Sequence, residues 1–220
     1  METEPDIPCA RVAEFVRELV HDLRNALNNL DLEAVLLREV VTEDEARTSA
    51  DRLRKQVYDL AERLGLLSES FRDAEPMIAP IAARELLLIC REQHEILPEA
   101  PELRWVDGFG DENVRVDLEM MVTIFREILS NAAAFSQGGG PAALTTRSEG
   151  KSVTFELREP KREALDPTGW GRPFTRVRQG HYGLGLWSVR RKAQTQRGTF
   201  QQSYRPDEHQ LITRLSLPVA

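Results

Sequence analysis

The chain has 220 residues, 41% of them hydrophobic and 30% charged, and carries a formal net charge of -7. That size admits one compact domain or two small ones, and the acidic balance argues against a nucleic-acid partner, because phosphate binding needs a concentrated positive surface. The two cysteines, Cys9 and Cys90, stand far apart and form no CxxC pair. This excludes a disulfide framework or a zinc site and fits a reducing compartment.

Nothing in the sequence looks like a membrane segment. The longest apolar run, LLLIC at residues 86–90, is far too short to cross a bilayer. The opening METEPDIP is acidic and lacks the apolar stretch of a secretory signal. The expectation is a cytoplasmic protein with no membrane partner.

In chain order, a long helix comes first. At 100° per residue, Val12, Val16, Leu19, Leu23, Ala26, Leu27, Leu30, Ala34, Leu37 and Val41 form one stripe. Glu14, Arg17, Glu18, His21, Asn25 and Asn28 lie opposite, so His21 points away from the buried face. The turn TEDE follows, with Thr42 as the expected cap and Glu45 reaching back in a capping box. Ala46, Ala50, Leu53, Val57, Leu60, Leu64, Leu67 and Phe71 then recur in steps of four and three, which is a heptad seam. One hairpin cannot cover both stripes, whereas two hairpins in a four-helix bundle can. The sequence therefore predicts a homodimer.

The polar stretch SESFRDAEP, ending in Pro76, marks a boundary between residues 1–72 and 77–220. Beyond it the spacing predicts a helix over 81–97, short strands near 103–106 and 114–116, and a helix capped by Asp117 and running to about Phe135. Strands over 142–147 and 152–158 surround the turn SEGK, and 169–182 reads as a loop. A helix over 184–196 and strands near 199–204 and 211–217 complete an α+β sandwich of one helical layer on one sheet.

Within this second part, Glu127 and Asn131 stand four apart, so both can address one ligand from one helix face. Gly180, Gly183 and Gly185 open an apolar helix, where backbone N–H groups can approach a phosphate. Arg172, Arg176 and Arg178 precede those glycines and would border a bound polyphosphate.

Taken in order, these stretches resemble the histidine kinases of two-component signalling. VHDLRNAL resembles the phosphoacceptor box, EILSNAAAF the asparagine box, RPFTR the phenylalanine box and GLGLWSV the second glycine box. GTFQQSY…ITRLSLP resembles the closing strands of the same ATPase-like fold, and the similarity runs from Val12 to Pro218.

The resemblance implies a hairpin dimerisation and phosphoacceptor domain at 1–72 and an ATPase-like (Bergerat) α+β sandwich at 77–220. It makes His21 the nucleophile that receives a phosphoryl group and Asp22 the acid that orients the ring and takes its proton. Asn25, one turn on, matches an amide that orients water to hydrolyse a partner's phosphoryl-aspartate. ATP and Mg²⁺ are the implied cofactors, bound near Glu127, Asn131, Gly183 and Gly185, with Asn131 holding part of the metal's shell. The implied partners are a second copy of the chain, a response-regulator receiver domain and an upstream histidine kinase.

The chain departs from the pattern where the first glycine box should follow SVTFEL, because REPKRE stands there. Glu159 takes the place of the aspartate that reads adenine, and Lys161 and Glu163 take glycine positions. Ala134 replaces the usual basic residue after the asparagine box, and Ala26 replaces a common proline. These changes weigh against nucleotide binding and leave an ATP-dependent autokinase and a phosphorelay phosphotransferase both open. A dimeric scaffold that sequesters a regulator or kinase is the non-catalytic alternative, and a superfamily ATPase without a phosphoacceptor is the third reading.

Overall fold

The computed structural model describes residues 9–71, 75–97, 100, 102–136, 140–172 and 183–220. The chain divides into two compact units, Met1–Ala74 and Glu75–Ala220.

The first unit is an antiparallel hairpin of α1 (Cys9–Val40) and α2 (Asp44–Phe71). Its inner seam repeats every seven residues: Val20, Leu27 and Ala34 on α1, with Ala50, Val57 and Leu64 on α2, each under a tenth exposed. The alternate rows stay open. Leu23, Leu30 and Leu37 are 41%, 44% and 52% exposed, and Leu53 and Leu60 are 41% and 45% exposed.

Two expectations shift here. Val20 belongs to the core, although it lies at the edge of the expected stripe, and Ala26 is exposed. The helix α2 opens at Asp44 and Glu43 O accepts from Arg47 N at 3.1 Å, so Thr42 stands one residue outside the capping position.

The second unit contains β1 (Ala79–Ala82), α3 (Ala83–Glu95), β2 (Leu103–Val106), β3 (Asn113–Val116), α4 (Leu118–Ala134), β4 (Ala142–Glu149), β5 (Ser152–Pro160), α5 (Gly185–Thr195), β6 (Thr199–Arg205) and β7 (Gln210–Pro218). β1 pairs antiparallel with β3, and the main sheet runs β2-β4-β5-β7-β6 with only the β2-β4 pair parallel.

Alternation in β5 sends Val153, Phe155 and Leu157 toward the helices. They meet Leu86 and Cys90 of α3, Ile124, Phe125 and Leu129 of α4, and Val189 of α5 in one core. The Phe155 ring contacts Phe109 and Phe125, each at 5.1 Å between centroids. Burial raises the Cys90 thiol to about 12, so it stays a protonated, inert member of this core.

Asp117 caps α4 as expected: its Oδ1 accepts from Met120 N at 2.9 Å, and Gln196 Oε1 accepts from Asp117 N at 2.7 Å. This second contact ties the start of α4 to the end of α5. The helix expected over 81–97 is shorter, because residues 79–82 pair with 113–116 as a strand.

Candidate functional site

His21 projects from α1 immediately after buried Val20, so the hairpin seam anchors the backbone that carries the ring. Its side chain is 75% exposed and that of Asp22 is 81% exposed. His21 Nδ1 lies 3.3 Å from Asp22 Oδ1 and 3.5 Å from Asn25 Nδ2. An ionised carboxylate only accepts, so the contact with Asp22 requires the proton on Nδ1. That tautomer cannot also accept from Asn25, which makes the longer approach a proximity rather than a second hydrogen bond. It leaves the lone pair on Nε2, facing solvent. The arrangement is an oriented nucleophile on an open helix face.

In the second unit, Glu127 and Asn131 lie one turn apart on α4. Asn131 Nδ2 donates to Glu127 O at 2.8 Å, and Ser130 Oγ donates to the same carbonyl at 3.2 Å. The Asn131 amide is thereby held, with its oxygen left as the atom that could face a cation. Gly183 has φ +69, a left-handed conformation that favours glycine. A Cβ at Gly185 would fall 2.5 Å from Glu127 Oε2 and 3.9 Å from Asn131 Nδ2. Thus Glu127, Asn131 and Gly185, distant in sequence, are brought together. Among the described residues, no group of three or more His, Cys, Asp or Glu is placed to hold a metal.

Glu159 ends differently from what a nucleotide-reading acid would need. It lies near the end of β5, and its Oε2 accepts from Lys161 Nζ at 2.9 Å. Lys161 Nζ also donates to Phe135 O at 3.0 Å, and Phe135 N donates to Asn131 O at 3.0 Å. The lysine side chain is 1% exposed and the glutamate side chain 9%. A cation at the carbonyl end of α4 is favoured by the helix dipole, which helps hold the ammonium there. Burial pushes the Glu159 carboxyl above its usual range, against the opposing charge and hydrogen bond of Lys161. An adenine amino group would therefore meet a carboxylate already bound to an ammonium. The residues present do not fit a nucleotide at Glu159.

Glu163 is exposed, as is Arg172. Arg176, Arg178, Gly180 and most of the expected phenylalanine box lie outside the described residues.

Sequence reasoning missed the Glu159–Lys161 pairing, although two residues apart at a strand end share one side. It also missed a cluster on the other face of the sheet. Glu156 there is 0% exposed because Arg158, Arg147 and Arg214 cover it. Arg158 Nε donates to Glu156 Oε1 at 2.7 Å and Arg147 Nη2 to Oε2 at 3.3 Å, while Arg214 sits in register across the strands. Burial raises the Glu156 carboxyl, but the hydrogen bonds and charges of Arg214 and Arg158 outweigh it and leave the group below its usual range.

No protein-family profile and no curated protein matches the sequence. Solved structures do match. Full-length ShkA in complex with AMPPNP aligns with a TM-score of 0.70 and 21% identity, covering 94% of this chain and 46% of that one. The Acinetobacter baumannii histidine kinase AdeS aligns with a TM-score of 0.55 and 16% identity over 90% of this chain and 97% of its own. The catalytic domain of histidine kinase ThkA gives 0.54 and 16% over 64% of this chain and 95% of its own. This chain thus spans under half the length of ShkA. No described helix is long and apolar enough to cross a membrane. The likeness to these kinases and the layered sheet agree on one architecture, and the chain has the fold of the sensor histidine kinases: a helical hairpin followed by an ATPase-like α+β sandwich.

Proposed function

We propose that the chain is a histidine phosphotransferase of two-component signalling, with the phosphoryl group carried on Nε2 of His21. The observation that carries this reading is the His21 Nδ1–Asp22 Oδ1 contact of 3.3 Å on an exposed helix face. In the reaction, the Nε2 lone pair attacks the phosphorus of an acyl phosphate on a receiver-domain aspartate. The phosphorus–oxygen bond breaks, the aspartate leaves as its carboxylate, and the imidazolium formed is stabilised by Asp22. The reverse step returns the phosphoryl group to another receiver. Asn25, one turn from His21, is the candidate to orient water against a partner's phosphoryl-aspartate.

The shuttle is favoured over an autokinase by the buried Lys161 ammonium on Glu159. The close approach of Gly185 to Glu127 and Asn131 is the observation that supports the autokinase as the second reading. The open leucine rows on α1 and α2 support a homodimer, because a second hairpin laid on Leu23, Leu30, Leu53 and Leu60 would bury them.

The test is incubation of the protein with a phosphorylated receiver domain and, separately, with labelled ATP and Mg²⁺. Acid-labile label from the receiver and none from ATP supports the shuttle. Label from ATP alone supports the autokinase, and no label from either overturns both.

A further inference from the structure

The main sheet ends on one side in β2, of 4 residues, and on the other in β6, of 7 residues. A sheet edge leaves alternate N–H and C=O groups unpaired, and folded proteins blunt long edges with proline, lysine, an inward charge or a bulge. From Thr199 to Tyr204, β6 reads TFQQSY and has none of these. Its pairing with β7 runs unbroken from Thr199↔Ser216 to Arg205↔Gln210. Among the described residues no strand pairs with its far side, and Thr199, Gln201 and Ser203 are exposed.

A groove of about 500 Å³ lies along this edge, within the size range of ligand clefts. Residues 198–203 line it together with Arg190 and Gln194 of α5, on the helix side of the sheet, and Arg214, on the opposite face beside Glu156. Among the described residues no acid lines it. The surrounding sequence has the same sign: residues 185–206 carry Arg190, Arg191, Lys192, Arg197 and Arg205 but no Asp or Glu, in a chain of net charge -7. Arg190 gives Nη2 to Trp170 O at 3.2 Å, and Arg214 gives Nε to Glu156. A guanidinium has five N–H donors, so neither contact uses up the group.

We propose that β6 is a docking edge for an extended acidic segment of a partner protein, which adds a strand to the sheet. The backbone of the segment completes the hydrogen bonds of β6, and its consecutive side chains point to opposite faces. Two neighbouring acids therefore reach Arg190 on one face and Arg214 on the other, each as a charge-assisted pair. A second copy of the chain is a poorer occupant, because antiparallel pairing of β6 with itself brings like charges together. This docking is independent of the chemistry at His21.

The test titrates the full chain with a fluorescein-labelled peptide, TVSEEVT, and reads its anisotropy, while amide NMR shifts show where it binds. Binding should shift the amides of residues 199–205. Only alternate N–H groups of an added strand face the edge it joins. N-methylation of one alternating set of peptide nitrogens should therefore abolish binding, and methylation of the other set should be tolerated. Gln194 follows Arg190 by one turn, and Gln201 is in register with Arg214; both are exposed. Gln194→Glu and Gln201→Glu should each weaken binding about fivefold, and the corresponding lysine variants should strengthen it, as for one exposed charge pair. No binding at millimolar peptide would overturn the proposal, as would binding that survives both methylation patterns, the mark of charge adsorption without strand pairing. Self-association of the free chain that shifts the same amides and excludes the peptide would overturn it in favour of a second copy.

Discussion

Lys161 Nζ lies 2.9 Å from Glu159 Oε2, and both side chains are withdrawn from solvent. A buried pair of this kind stabilises little by its presence, but removing one partner strands the other charge. Lys161→Met should lower the stability of the ATPase-like unit by about 3–5 kcal/mol. The double variant Glu159→Leu with Lys161→Met should recover most of that loss. Urea unfolding of the two single variants and the double variant checks the coupling. Calorimetric titration of the wild type with an ATP analogue and Mg²⁺ should show no tight micromolar binding.

The two rows of each hairpin helix should respond differently to charge. Val57→Asp buries a carboxylate inside one hairpin and should unfold it, since an unpaired buried charge costs several kcal/mol. Leu53→Asp sits on an open row and should dissociate a dimer while each hairpin keeps its helicity. Light scattering paired with circular dichroism separates the outcomes. A wild-type monomer at micromolar concentration would rule the dimer out.

His21→Ala should abolish acid-labile labelling without loss of stability, because a side chain 75% exposed leaves no cavity. Asp22→Asn keeps the shape and loses the charged acceptor, so transfer should slow while the fold is unchanged. Asn25→Ala should spare labelling of His21 and slow only the dephosphorylation of a partner. Label that persists in His21→Ala, or follows His94, would refute the assignment of His21.

Glu156 contributes to the acid stability of the second unit. Its folded carboxyl is held below the usual range, so the unfolded chain takes up its proton first as pH falls. The stabilisation is therefore present above the ordinary carboxylate value and is lost as pH drops through the depressed one. Glu156→Gln should lower stability at neutral pH and flatten the acid side of the profile. Thermal melts between about pH 3 and pH 7 give the comparison.

Much of the architecture was legible because its signals are local. The heptad leucines, the Asp117 cap and the alternation of β5 each follow from a few neighbouring residues. Features defined by pairing were harder to read. β1, with the sequence APIA, has little strand preference of its own and exists through its register with 113–116. Val20 falls outside the expected stripe because α1 is apolar over two adjoining rows, and a single wheel does not say which row meets its own partner helix. At the site, His21, Asp22 and Asn25 stand together as their one-turn spacing implies. Lys161 was read as a lost glycine, whereas its effect lies in a side chain that reaches both a strand acid and a helix end. The arginines around Glu156 come from separate strands, and only the sheet register unites them.

The inner seam of the hairpin has unequal rungs. Ala34 and Ala50 line it near the turn, whereas Val20 and Leu64 line it two heptads away, roughly 21 Å along the axis. Helix axes approach to about 8 Å over small side chains and stand nearer 10 Å over large ones. Small rungs near the turn therefore admit a closer approach of the two helices than the larger rungs two heptads away. A tilt that pivots on the alanines would move His21, beside Val20, more than residues close to the turn. Partner binding that changes the spacing of the two helices would therefore act on the phosphoacceptor through a lever arm of about two heptads.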